Sequence, residues 1–149
     1  MEPASGSSFL EPPPFEAGGG GHVSTVDDFL AFGRLLLRKG LYADKRILQE
    51  SSVAEMIKDQ IPEDVKAASP FFPGFWHTHG WGLGVAVITT PDHISPRPGR
   101  FGWWGGFGTT FFADPNSDTV ALLFTQRMMG SADDTKMSEE FLKLALSQG

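Results

Sequence analysis

Apolar positions along the chain fall into runs of two different periods. Phe29, Phe32 and Leu36 form one stripe at helical spacing and Val26, Leu30 and Leu37 a second, so the pattern predicts a helix that packs on more than one side. Ser24-Thr25 offers a cap, Asp27 and Asp28 suit the positive end of a helix dipole, and Gly40 supplies a stop. Ser52-Val53-Ala54-Glu55 has capping-box spacing ahead of Met56 and Ile57. It predicts a second helix ending before Pro62, and residues 62–80 read as a loop. From Trp81 the period falls to two. Trp81, Leu83, Val85 and Val87 alternate with Gly82, Gly84 and Ala86, the pattern of a strand with one bulky face and one bare one.

Two further strands are predicted over 101–113 and 119–127, joined as a hairpin by Asp114-Pro115-Asn116-Ser117-Asp118. Val120-Ala121-Leu122-Leu123-Phe124 is apolar on both faces, as a central strand covered on both sides requires. Met137, Phe141, Leu144 and Ala145 mark a closing helix, with residues 131–134 available to cap it. The connections between strands are too short for parallel crossovers. The expected fold is therefore α+β, with a short antiparallel sheet of about three strands and covering helices including the C-terminal one.

Composition sharpens this picture. The 149 residues fit one domain. Residues 1–21 carry Pro12-Pro13-Pro14 and Gly18-Gly19-Gly20-Gly21 and read as a flexible lead-in, leaving 22–149 as the folded part. The absence of cysteine excludes disulfides, thiolate nucleophiles and Cys-ligated metals. A formal charge of −6 with scattered cations argues against a nucleic-acid partner. The five-residue apolar run Val120 to Phe124 is far short of the roughly 20 residues of a membrane span. No Lys or Arg precedes Arg34, unlike the n-region of a signal peptide.

The most unusual stretch is Gly102-Trp103-Trp104-Gly105-Gly106-Phe107-Gly108-Thr109. Indoles beside bare glycines at a strand edge suit either a bulged core strand or a surface that a ligand approaches closely. Other constellations are weaker. His77-Thr78-His79 would place two imidazoles on one face of a strand, but no third ligand is fixed by the sequence. Gly82-x-Gly84 lacks the rest of a dinucleotide fingerprint, and no Gly-x-Ser-x-Gly elbow is present. Neither a cofactor nor a metal is expected.

Several blocks, in order, carry a resemblance. Gly19-Gly20-Gly21-His22-Val23-Ser24-Thr25-Val26-Asp27-Asp28-Phe29 resembles the GGGLVSTADDY entry to a helix in the superfamily of class C β-lactamases, penicillin-binding proteins and family VIII carboxylesterases. Lys45-Arg46-Ile47-Leu48 is similar to that family's GKRIL turn and Gly80-Trp81-Gly82-Leu83-Gly84 to its GFGLGF strand. Asp114-Pro115 with Thr125-Gln126 resembles its DP…TQ hairpin. The resemblance runs from about Pro12 to the C-terminus and implies part of a β-lactamase/transpeptidase-like fold. It also implies a parent reaction of ester or β-lactam hydrolysis through an acyl-serine, in a family whose members are often periplasmic or secreted.

The family's third catalytic box, Lys-Thr-Gly or Trp-x-Gly, falls by this resemblance on Trp103, Trp104 and Gly105, or one residue later on Trp104, Gly105 and Gly106. This strand would line the substrate cleft. The other two boxes are missing. The residues three before the six lysines are Leu36, Tyr42, Glu55, Glu63, Asp133 and Glu140, so no Ser-x-x-Lys exists. The single tyrosine gives Tyr42-Ala43-Asp44, not Tyr-x-Asn, and Ser24 reads as a helix cap. No catalytic residue is therefore assigned. The expectation is a C-terminal portion without its nucleophile, inactive alone, whose parent enzyme leans to esters because no box cation would pair with a β-lactam carboxylate. An alternative is a non-catalytic module that self-associates, or docks onto a nucleophile-bearing N-terminal half, through an exposed sheet edge.

Overall fold

A computed structural model describes residues 5–6, 10–12, 14–15 and 17–147. The parts of the predicted lead-in at 1–4, 7–9, 13 and 16 lie outside the described residues, while 17–21 are exposed and belong to no helix or strand.

Helix α1 (Val26–Leu37) begins where predicted, but Thr25 and not Ser24 is its cap: the Thr25 hydroxyl accepts the Asp28 amide at 3.1 Å. Ser24 instead donates to the Thr25 carbonyl. The helix ends on Gly40, at φ +88°, whose amide donates to the Leu35 carbonyl. The short ladder β1 (Leu41–Tyr42) and β2 (Lys45–Arg46) leads to α2 (Glu50–Met56). That helix starts two residues before Ser52, so the expected capping box lies inside it, and its actual cap Gln49 makes no side-chain bond.

The segment 62–80, expected to be a loop, holds α3 (Glu63–Ala68), α4 (Phe75–Thr78) and the start of β3 (His79–Trp81). Buried Lys66 reaches Asp59 at 2.6 Å and Glu63 at 2.7 Å, and Asp59 also accepts the Trp81 amide at 3.0 Å. One carboxylate therefore ties the helical segment to an edge strand.

The sheet has five antiparallel strands where about three were expected. Its order is β3, β4 (Ala86–Ile88), β5 (Phe101–Gly105), β6 (Thr109–Asp114), β7 (Thr119–Phe124). Each of the first two predicted strands is folded back on itself by glycines. The alternating run that starts at Trp81 breaks at residues 82–85. There Gly84 has φ +92°, and a Cβ on Gly82 would collide with the Met56 carbonyl. Leu83, assigned above to the bulky face, is 57% exposed at that turn. The run 101–113 breaks at 106–108, where Gly108 has φ +83° and donates its amide to the Gly105 carbonyl. The 114–118 hairpin is present as predicted, with Asp114 accepting the Asn116 amide at 2.9 Å. However, β7 lies at the edge of the sheet and not at its centre as its apolar run predicted; both its faces are apolar because Val120 and Leu122 face one core and Ala121 the other.

Helices cover both faces of the sheet. Leu36, Val53, Val85, Val87, Phe101, Phe111 and Ala113 form the core on the α1 and α2 side. Phe75, Trp104, Phe112, Ala121 and Leu142 form the core on the side of α4 and α5 (Lys136–Leu146). Thr135, not residues 131–134, stands at the start of α5, where its hydroxyl donates to Glu139 at 2.7 Å. Among the described residues no helix is long and apolar enough to cross a membrane.

Candidate functional site

Strand β5 ends in a cleft of about 440 Å³, within the range of small-molecule sites. Trp103 and Trp104 form its wall, Gly106 and Phe107 its rim at the β5–β6 turn, and Met128, Met129 and Ser131 the opposite side in the loop after β7. Phe71, from the turn before α4, closes one end.

The wall departs from regular strand geometry. Gly102 lies at φ +153°, and a Cβ there would collide with the Phe111 carbonyl across the strand pair. Just beyond it, Trp103 and Trp104 stack on one another with centroids 4.6 Å apart and planes 18° apart, although adjacent strand residues normally project to opposite faces. Trp103 packs edge-on against Trp81 and Phe75, and Trp104 edge-on against His79. Contacts of this kind add to simple burial.

The far side is held by hydrogen bonds. The Gly106 carbonyl accepts the Met129 amide at 2.8 Å, and the Gly108 carbonyl accepts both the Thr125 amide and the Thr125 hydroxyl. Asp134 takes the Gly130 amide at 2.9 Å and the Arg127 guanidinium at 2.8 Å. Those two bonds hold the Asp134 carboxyl below the usual carboxylate range, the amide bond foremost.

Of the residues expected on the third box, the structure brings Trp103, Trp104 and Gly106 to the cleft. Gly105 stays in the strand pair as the acceptor of the Gly108 amide. Sequence reasoning missed Met128, Met129, Ser131 and Phe71. The first three directly follow Thr125-Gln126 and Arg127, so that motif marked their neighbourhood, whereas nothing in the sequence pointed to Phe71.

The cleft is built for apolar matter. Ser131 is the one side-chain hydroxyl among the described residues lining it, and it donates to Asp133 at 2.5 Å. Among the described residues neither His nor Lys lines it, and a serine without such a base is a poor nucleophile. Tyr42 is half exposed in the β1–β2 ladder, between α1 and α2. His77 and His79 do not share a strand face: His77 lies in α4 and is exposed. His79 is stacked on Phe75 at 4.6 Å. Burial pushes the His79 pKa down against the opposing hydrogen bond that its Nδ1 donates to the Phe75 carbonyl.

A family model described as Beta-lactamase matches residues 2–145. Two curated proteins of Mycobacterium tuberculosis, uncharacterized protein MT1414 and protein Rv1367c, are each 36% identical over 126 residues. Those alignments cover 81% of this chain and 31% of either relative, so the chain spans about a third of their length. Among solved structures, the simvastatin synthase LovD from Aspergillus terreus matches with a TM-score of 0.60 at 18% identity, over 80% of this chain and 32% of that one. EstCE1, a hydrolase with promiscuous acyltransferase activity, matches with a TM-score of 0.56 at 22% identity, over 83% and 29%. At those identities the likeness is one of fold.

Proposed function

Because the chain belongs to the beta-lactamase family, we propose that it is the C-terminal portion of a serine hydrolase whose β5 strand walls the acyl-transfer cleft. The observation that carries this reading is the convergence of Trp103, Trp104 and Gly106 on a 440 Å³ cleft at the end of a strand. In the complete enzyme the Ser-x-x-Lys and Tyr-x-Asn groups come from elsewhere. Here β5 contributes shape and backbone dipoles toward the acyl carbonyl or the leaving group.

Charge favours an ester over a β-lactam. A bound carboxylate gains most from a fixed cation, but the nearest such group in sequence, Arg127, is already paired with Asp134. One structural neighbour, EstCE1, is described as a hydrolase with promiscuous acyltransferase activity, which agrees with acyl chemistry at this site.

The test is intact mass after incubation with a fluorophosphonate and, separately, with a penicillin. An unmodified mass in both is expected from a chain that lacks the nucleophile. A stoichiometric adduct on Ser131, Ser24 or any other serine would sink the reading and identify the site directly.

A second reading has its own observation. Strand β7 ends the sheet, with β6 as its one hydrogen-bonded neighbour among the described residues, and such an edge is a template for another strand. On this reading the chain is a binding module that pairs through β7 with a second copy or with a nucleophile-bearing half. A monomer by size-exclusion chromatography at high concentration would count against self-pairing. Failure of a co-expressed N-terminal half of a longer relative to co-purify would count against docking.

A further inference from the structure

Trp104 borders a second, much smaller cavity of about 40 Å³, whose walls include His79, Asp92, Arg100, Ser138 and Glu139. Arg100 is only 1% exposed. One of its nitrogens, Nη2, donates to Asp92 at 2.6 Å. Nε and Nη1 are buried and meet no acceptor among the described residues. A buried charged group with two nitrogens, carrying three N–H donors between them, left without an acceptor is costly, and the Phe112 ring 5.7 Å from the guanidinium offers only a weak cation–π contact in compensation.

We infer that this cavity binds one or two ordered water molecules that accept from Nε or Nη1 of Arg100 and join it to the acceptors opposite. Three properties choose water over other small ligands. The space suits it, since a water takes up about 30 Å³ of liquid volume. The charge suits it: the cation is matched by Asp92, and Glu139 adds a further negative charge, so an anion is repelled. The chemistry suits it too, because the walls present donors on Arg100 and acceptors on Glu139 and Ser138, and water serves both. One lining residue, half-exposed His93, bonds Glu139 at 2.9 Å. The hydrated cluster then backs Trp104, the same side chain that walls the cleft.

High-resolution crystals of the native chain, with and without a bromide soak, test this. The expected result is a density peak about 2.7–3.2 Å from Nε or Nη1, with no bromine anomalous signal at that position. A bromine signal there would make the site an anion site and overturn the inference. So would a guanidinium bonded wholly to protein carbonyls around an empty cavity. In solution, oxygen-17 relaxation dispersion should count one or two more long-lived waters in the native chain than in the D92N/R100M pair, and equal counts would overturn it. The crystallographic arm needs no variant and stands even if the pair fails to fold.

Discussion

Gly108 concentrates the constraints on the cleft in one residue. It sits at φ +83°, its amide closes the β5–β6 turn onto Gly105, and its carbonyl takes two hydrogen bonds from Thr125. A Cβ at this position would collide with the Arg127 carbonyl and press on the Thr125 hydroxyl. Both the backbone angle and the space therefore demand glycine. Replacing it, Gly108→Ala, should destabilise the fold by about 2–5 kcal/mol, the sum of left-handed strain and overpacking. It should also shift the Met128-Met129 side of the cleft. Urea unfolding followed by tryptophan emission reads both effects, and an unchanged midpoint would show that the turn relaxes without cost. Gly106, two residues earlier and with open space around it, is the control that should tolerate alanine.

At the level of elements, the contact of α1 with the sheet depends on another glycine. Gly33 is buried, and a Cβ there would lie 2.7 Å from Val120 Cγ1 and 3.0 Å from Phe111 Cε2. Glycine costs a helix about 1 kcal/mol relative to alanine, and here the close approach of helix and strand offsets that cost. Gly33→Val should push α1 off β6 and β7 and lower stability by about 1–3 kcal/mol, measured as a lower denaturation midpoint with an unchanged slope. A higher midpoint would mean that the gap between helix and sheet is slack. The same elements show what the sequence makes legible. The stripes of α1 and α5, the 114–118 hairpin and the two-sided cover of 119–124 follow from local periodicity, so they could be read directly. The place of that strand at the sheet edge and not its centre could not, because helices on both faces make an edge strand as apolar as a central one. The two hairpins hidden in 81–87 and 101–113 could not. Alternation continues through Leu83 and Val85, and only the Met56 carbonyl against Gly82 and the Arg127 carbonyl against Gly108 decide where the strand turns back. Those are contacts between distant parts of the chain. The cleft was legible to the same extent: Trp103 and Trp104 stand out by composition, but Phe71 and Met128 reach them only through tertiary packing.

For the whole molecule, burial and charge combine into a definite response to acid. His79 is held below its ordinary pKa, chiefly by burial, so the native state resists a proton that the unfolded chain accepts near pH 6.5. A group depressed in the folded state contributes stability above its unfolded pKa and loses that contribution as pH falls, so a first decline should begin near pH 6.5. Asp92, Asp59 and Glu139 are depressed too. Burial works against their charge, but hydrogen bonds outweigh it: the Ser95 amide and Arg100 for Asp92, Lys66 for Asp59, and Thr135 for Glu139. Their contribution is intact above about pH 4 and falls away below it. The formal charge of −6 pulls the other way, because protonation first relieves self-repulsion. That effect is spread over an exposed surface screened within about 8 Å at physiological salt, whereas His79, Asp92, Asp59 and Glu139 are at least partly buried, and Asp134 and Glu50 are depressed as well. The local terms should therefore win. Unfolding free energy is expected to decline in two stages, one starting near pH 6.5 and a steeper one below about pH 4. His79→Phe should remove the first stage and leave the second, measured by urea unfolding across the pH series. A first stage that survives in the variant would assign it to another group and leave His79 without the buried, neutral role that its packing against Phe75 and Trp104 gives it.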